Sequence, residues 1–323
     1  MKDEASLDEE SIIKILWEKF GKSQGSRDPF DDDAAWVKNH SSKKYLVTKA
    51  DMFVASTDAP PQMTPAQMAR KSVVACVSDL AAKGVSPEYC LISLGLQNKL
   101  ATRSFVASLA SGFARSEAEY HLKIIGGDTN ATNDDTVIDC SIFGFANSLV
   151  SRTGASPGDL LGVSGKFGAQ PAGLLILLNR ANSSDKEFEK YATSTVLEPK
   201  ARLDVGLKGS KFFTSGIDSS DGLAISLYHL AESSNVSLSL DHLPVCKGLE
   251  QFAAENGLNI KDLVLFGGEE YELVCTFPKE SEGALSKLGF EKIGIVTENK
   301  NEEPVVRLGD QRIARRGWVH FKS

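Results

Sequence analysis

Five short segments of the chain each bring an aspartate to the end of an apolar stretch. They are Phe30-Asp31-Asp32-Asp33-Ala34-Ala35, Lys49-Ala50-Asp51, Val77-Ser78-Asp79-Leu80, Gly126-Gly127-Asp128-Thr129 and Gly216-Ile217-Asp218-Ser219-Ser220-Asp221. A carboxylate beside buried chain is costly unless it is paired or bound to a cation, so this repetition points to several divalent ions held by oxygen ligands.

Each acid also has a plainer reading. Asp79 falls within a helical pattern, and its own face carries the small residues Ser72, Ala75, Cys76 and Ala82, which leave room for an ion above the carboxylate. Its alternative is a solvated stripe. Asp128 follows two glycines that allow close backbone approach to a ligand, or that form an ordinary Asp-Thr turn. Asp218 and Asp221 flank a strand-to-helix junction with Ser220 as N-cap, where acids also complement the helix dipole. Asp32, Asp33 and Asp51 could equally lie in acidic turns. Five independent placements of an acid at such ends favour the ion-binding reading over any one coincidence.

Other chemistries find less support. The five histidines, His40, His121, His229, His242 and His320, show no metal-ligand spacing, and His320 between Val319 and Phe321 reads as a packed residue. The cysteines are five, widely spaced and set in apolar runs without a CxxC pair, as expected of reduced core thiols. Neither a GxxxxGK[ST] loop nor a GxGxxG after a strand occurs. The nearest approach, Gly162 to Gly168 with Lys166, reads as a tight turn with a solvated lysine. A nucleotide enzyme built this way must neutralise its phosphates with metal.

The elements that position these acids alternate between strand-like and helix-like periodicity, the pattern of mixed α/β proteins. With 323 residues and 41% hydrophobic composition, two domains are expected. The turn-rich segment Ser151 to Asp159 divides residues 1–150 from 151–323. Helices are expected over 11–20 with Gly21 as its stop, from Thr64-Pro65 to Gly84, over about 101–120, from Ala172, and from Asp221 to about Ser233. Strands are expected at 45–48, 90–96, 123–125 (ending at the glycine pair), 137–145, 160–163, 236–240 and, half-buried, 272–277. Residues 182–198 read as a loop or exposed helix. A net charge of −7 with interspersed basic residues argues against a nucleic-acid partner. A polar N-terminus and no apolar run of spanning length argue against a membrane and point to the cytoplasm.

In their order, these motifs resemble the thiamine-monophosphate kinase family, within the superfamily of aminoimidazole ribonucleotide synthetase. Ser78-Asp79-Leu80-Ala81-Ala82, Gly126-Gly127-Asp128-Thr129 and Asp218-Ser219-Ser220-Asp221-Gly222 carry the superfamily likeness. Gly267-Gly268-Glu269-Glu270-Tyr271-Glu272-Leu273, similar to GGEDYEL, and Gly317-Trp318-Val319-His320-Phe321 carry the kinase likeness. The resemblance implies a two-domain α/β (α+β) protein whose N-terminal sheets pair in a homodimer, with ATP as co-substrate and several Mg2+ ions between the domains. It further implies that Asp33, Asp51, Asp79, Asp128, Asp218 and Asp221 hold metal. Gly127, Asp128, Arg152 and Ser220 would contact ATP, while Glu269 and Trp318 would face thiamine monophosphate. The implied product is thiamine diphosphate, formed by direct transfer without a covalent intermediate.

The chain departs from the family in places. Asp58 stands where a substrate-contacting histidine is usual, and Lys49-Ala50 replace hydroxyl residues before Asp51. Glu270 replaces an aspartate, and the glycine-rich lead into Asp32 is lost. These departures keep two alternatives open: a superfamily enzyme with another phosphorylated or carboxylated substrate, or a non-catalytic ligand-binding homologue. Selenophosphate synthetase is disfavoured because the first cysteine is Cys76. The hydrogenase-maturation relative is disfavoured because Phe321-Lys322-Ser323 carries no cysteine.

Overall fold

A computed structural model describes residues 7–20, 32–38, 44–300 and 302–319. The expectations for Gly21, Asp31, His40, His320 and Phe321 lie outside these residues. The N-terminal half comprises α1 (Glu9–Phe20), β1 (Ala35–Lys38), β2 (Tyr45–Val54), α2 (Ala55–Asp58), α3 (Pro65–Ala82), β3 (Pro87–Gln97), α4 (Arg103–Tyr120), β4 (Lys123–Thr132) and β5 (Val137–Ala146). Its five-stranded sheet runs β1-β2-β5-β3-β4, with β3 and β4 the one parallel pair.

Next come β6 (Leu160–Val163), α5 (Ala169–Leu177), α6 (Lys186–Leu197), α7 (Leu203–Gly209), β7 (Ser215–Ser219), α8 (Leu223–Ser234) and β8 (Val236–Leu240). The chain continues through α9 (Leu249–Asn256), α10 (Ile260–Phe266), β9 (Glu272–Phe277), α11 (Glu282–Lys287), β10 (Glu291–Glu298), β11 (Val306–Leu308) and β12 (Gln311–Arg312). The second sheet runs β12-β11-β8-β10-β6-β9-β7. Mixed α/β architecture with two sheets is therefore what the alternating periodicity encodes.

Helix α3 is the wall shared by both halves. Thr64 and Gln67 form a reciprocal capping box with Pro65 in the first turn, which fixes where the helix starts. Along its length Val73, Val77, Leu80 and Ala81 are fully buried. They share one apolar cluster with Val47, Ile138 and Ile142 of the first sheet and with Leu203, Tyr271 and Leu273 of the C-terminal half. Burying each such leucine or valine contributes about 1.5–3 kcal/mol, so the cleft between the halves has a firm back wall.

Several expectations change. Strand β2 does not stop at Thr48; it continues to Val54, which puts Asp51 inside a strand. Strand β4 does not end at the glycine pair but runs on to Thr132, with a register shift opposite Cys90 and Leu91. The glycines serve that bulge: a Cβ on Gly127 would meet the Ile92 carbonyl oxygen at 1.6 Å. Ser220 is not the cap of α8, because Gly222, at φ 117°, holds that position without a side-chain bond. Strand β9 is buried on both faces rather than alternating, since helices and loops cover each side. Residues 186–197 form a capped amphipathic helix whose Phe188, Ala192 and Val196 turn inward. All five cysteines are free and buried.

Candidate active site

A cleft of about 270 Å3 opens between the halves, lined on one side by Lys49, Asp51, Asp58, Lys71 and Asp79 and on the other by Asp218, Ser220, Asp221, Glu269 and Trp318. Strand alternation puts Val47, Lys49, Asp51 and Phe53 on the β2 face that packs toward α3. On α3 the i, i+4, i+8 row Lys71, Ala75, Asp79 lies beside them on the same wall of the cleft. Of the small residues read from the sequence, Ser72 and Ala75 line this space beside Asp79, while Cys76 and Ala82 are buried in the core.

At its floor, ligand oxygens of Asp33, Asp79 and Asp218 lie within 4.8 Å of one another, and all three residues are buried. They come from the segment before β1, from the end of α3 and from β7, so no local sequence signal could have joined them. Burial, followed by repulsion from Asp33, pushes the Asp218 carboxyl up to about 7, even though Ser78 Oγ donates to it at 2.6 Å. Burial also lifts Asp79 well above the carboxylate range; the attraction of Lys49 is outweighed, with Asp218, Asp33 and Asp51 adding repulsion. Burial alone would raise Asp33 as well, but Arg152 and Lys83 hold it well below that range. Asp218 has no salt-bridge partner among the described residues. Converging buried oxygens short of positive charge are a donor set that fits a hard divalent cation.

The cations around the cluster are specific. Lys49 Nζ stands 3.0 Å from Asp79. Lys83, fully buried at the end of α3, pairs with Asp32 and, at 2.6 Å, with Asp33, and donates to the Gly216 carbonyl at 2.8 Å. Arg152 Nε donates to Asp33 at 2.7 Å, and the Arg152 backbone and the Ser151 hydroxyl close on Asp32 at 3.0 and 2.7 Å. Arg152 is thus beside the acids rather than projecting into open cleft.

On the opposite wall, Glu269 accepts from Lys71 at 2.6 Å and from Gln170 at 2.7 Å. Glu269 and Tyr271 both hold left-handed backbone, φ 61° and 53°, a strain that marks an imposed geometry. Trp318 is half-exposed at the cleft, anchored by its backbone N–H to the Asp221 carbonyl at 2.8 Å. Asp58 lines the cleft, but its carboxylate accepts from Val54 N at 2.7 Å and from Thr57 Oγ1 at 2.8 Å, capping its own turn. Lys71, Lys83 and Gln170 were not singled out from sequence. The one available signal was that Lys71 shares the Asp79 row of α3.

Asp128 is not brought into this group. In one row Asp51 pairs with Cys140, Cys140 with Ile92, and Ile92 with Gly127, so three strand spacings, about 14 Å, separate Asp51 from the Asp128 position. Asp128 is exposed and pairs with Ser93, one residue out of phase with the buried Ile92. No histidine lines the cleft among the described residues, and burial holds His229 down at about 3.

Residues 31–146 match the family described as AIR synthase related protein, N-terminal domain. A thiamine-monophosphate kinase of Nitrosopumilus maritimus is 39% identical, with 98% of this chain and 100% of the relative aligned. One from Pyrococcus horikoshii is 35% identical over 98% and 96% of the two chains. Among solved structures, "AaThiL complexed with AMPPCP and TMP" superposes with a TM-score of 0.87 at 29% identity, covering 99% of this chain and 100% of that one.

Proposed function

The chain is a kinase of the thiamine-monophosphate kinase family, and on that premise we propose that it phosphorylates thiamine monophosphate to thiamine diphosphate by direct in-line transfer from ATP. The observation that carries this reading is the convergence of Asp33, Asp79 and Asp218 at the floor of a cleft whose other wall bears Glu269 and Trp318. Bound at these acids, Mg2+ ions would offset the repulsion between two phosphates. Asp51 and Asp221 flank the floor and extend the same oxygen-rich surface toward the nucleotide.

The remaining groups orient the reactants. Ser220, exposed in the cleft, contacts ATP, and Arg152, from its place beside Asp33, reaches the phosphates. Trp318 offers its ring face to a cationic thiazolium, and Glu269 meets the same moiety. The attacking phosphate oxygen is largely ionised near neutral pH, so no strong base is needed.

The reading includes a homodimer built through residues 1–150, with 151–323 as the second domain. Two features support it. Among the described residues, strand β1 pairs with Tyr45 to Thr48 alone, and no strand pairs with Lys49–Val54 of β2 on that side or with the outer edge of β4. The exposed Met52, Tyr89, Ile125 and Phe145 belong to the same sheet. A second copy would bring Gly127 and Asp128 to the nucleotide side, which one chain alone does not. Among the described residues no helix is long and apolar enough to cross a membrane, in keeping with a cytoplasmic enzyme.

A turnover assay across acceptors tests the reaction. With Mg2+-ATP, thiamine monophosphate is expected to yield thiamine diphosphate and ADP in equal amounts, and thiamine itself to yield neither. ADP release with another acceptor, and none with thiamine monophosphate, would move the assignment to a different substrate within the superfamily.

A further inference from the structure

We propose that Lys49 is a built-in cation of the acid cluster, its ammonium taking the place between Asp51 and Asp79 that a divalent ion would otherwise bridge. The chain then binds one ion fewer than its carboxylates could hold. The inference rests on the reading of the cleft as a Mg2+-ATP site and concerns how that site is charged.

Lys49 lies two residues before Asp51 on β2, so both side chains leave the same face of the strand, and both line the cleft beside Asp79 of α3. Its Nζ is 3.0 Å from Asp79 Oδ2, and three-quarters of the side chain is withdrawn from water. Among the described residues Asp79 is the one carboxylate within salt-bridge distance, and Asp51 is the next strongest attraction on the ammonium. Mg2+ bound to the same Asp79 oxygen would sit at about 2.0–2.1 Å from it. On the Asp51 side of that oxygen the ion would share the space of the ammonium and bring two like charges into contact, so the lysine and an ion are alternatives there.

The charge count agrees. Asp32 and Asp33 are matched by Lys83 and Arg152. Asp51, Asp79 and Asp218 remain, and among the described residues Lys49 is the one cation within salt-bridge distance of any of them. With all three ionised, as metal ligands are, one divalent ion within Asp33, Asp79 and Asp218 offsets the charge that Lys49 leaves. Without Lys49 one more carboxylate would stand uncompensated, enough to draw in another ion on the Asp51 side.

Mn2+ counted by equilibrium dialysis, on full-length protein saturated with AMPPCP and thiamine monophosphate, tests this. Lys49→Met is expected to bind one more Mn2+ per chain than wild type, and Lys49→Arg the same number as wild type. Equal counts in wild type and Lys49→Met, both folded by circular dichroism, would overturn the proposal. Should Lys49→Met not fold, the wild-type crystal structure with Mn2+ decides: an anomalous peak between Asp51 and Asp79 with Lys49 displaced overturns it, and Lys49 in place with no such peak supports it. If the counts differ as expected while thiamine monophosphate is not turned over, the kinase reading fails and the role of Lys49 stands.

Discussion

Asp79→Asn and Asp218→Asn are each expected to lower kcat by about 10²–10³-fold or more while raising the melting temperature of the metal-free protein. The loss of rate follows from removing a ligand of the ion that would stabilise the transferring phosphate, since deleting one preorganised electrostatic contact in an active site has effects of this size. The gain in stability follows from the same geometry. Three buried carboxylates within 4.8 Å repel one another, and two of them lie above the normal carboxylate range. A neutral amide of equal shape relieves that repulsion.

The pH dependence has a definite sign. Asp218 has its folded pKa raised to about 7, above the unfolded value near 3.9. Its contribution to stability is therefore fully present below the unfolded pKa and is lost as pH rises through about 7. Across that window the metal-free protein loses stability at up to roughly 1.4 kcal/mol per pH unit from this group. Mg2+ binds the ionised form and should restore more stability at pH 8 than at pH 6. Thermal melts of wild type and Asp218→Asn, with EDTA and with Mg2+, read the slope, which the variant should flatten. Wild-type turnover by Asp79→Asn at limiting Mg2+ would show the metal assignment to be wrong.

Lys83→Met is expected to destabilise the fold by about 3–5 kcal/mol, because it leaves two buried carboxylates without their shared cation. Lys83 has no solvent exposure and ties Asp32 and Asp33 to the Gly216 carbonyl, joining the segment before β1 to the strand that carries Asp218. Arg152 and Ser151 stay on these acids, so the loss should be partly recovered in the double variant Lys83→Met/Asp32→Asn. Urea denaturation of the three proteins measures both quantities. A loss below 1 kcal/mol for the single variant would mean that the lysine is not the cluster's structural counter-ion.

What could be read in advance follows from how local each signal is. The start of α3 was legible because a capping box and a first-turn proline act within four residues. The small-residue face around Asp79 was legible for the same reason. Strand ends were not, since β2 and β4 continue through Asp51 and Gly126-Gly127 only because neighbouring strands pair with them. Burial of β9 on both faces likewise depends on tertiary cover. The resemblance put Asp33, Asp79 and Asp218 in one set, and the fold brings these three together. It also put Asp128 there, where a single chain leaves it on an exposed edge strand. Lys83 looked like an ordinary residue at a helix end, because its partners are about 50 and 133 residues away in sequence.

The most direct measurement is an anomalous-difference map from crystals grown with Mn2+, AMPPCP and thiamine monophosphate. Metal density should lie within the triangle of Asp33, Asp79 and Asp218, with the two phosphates meeting beside it and Asp128 of a second copy reaching the nucleotide. An ordered nucleotide with no metal density in reach of those three carboxylates would contradict the role assigned to them.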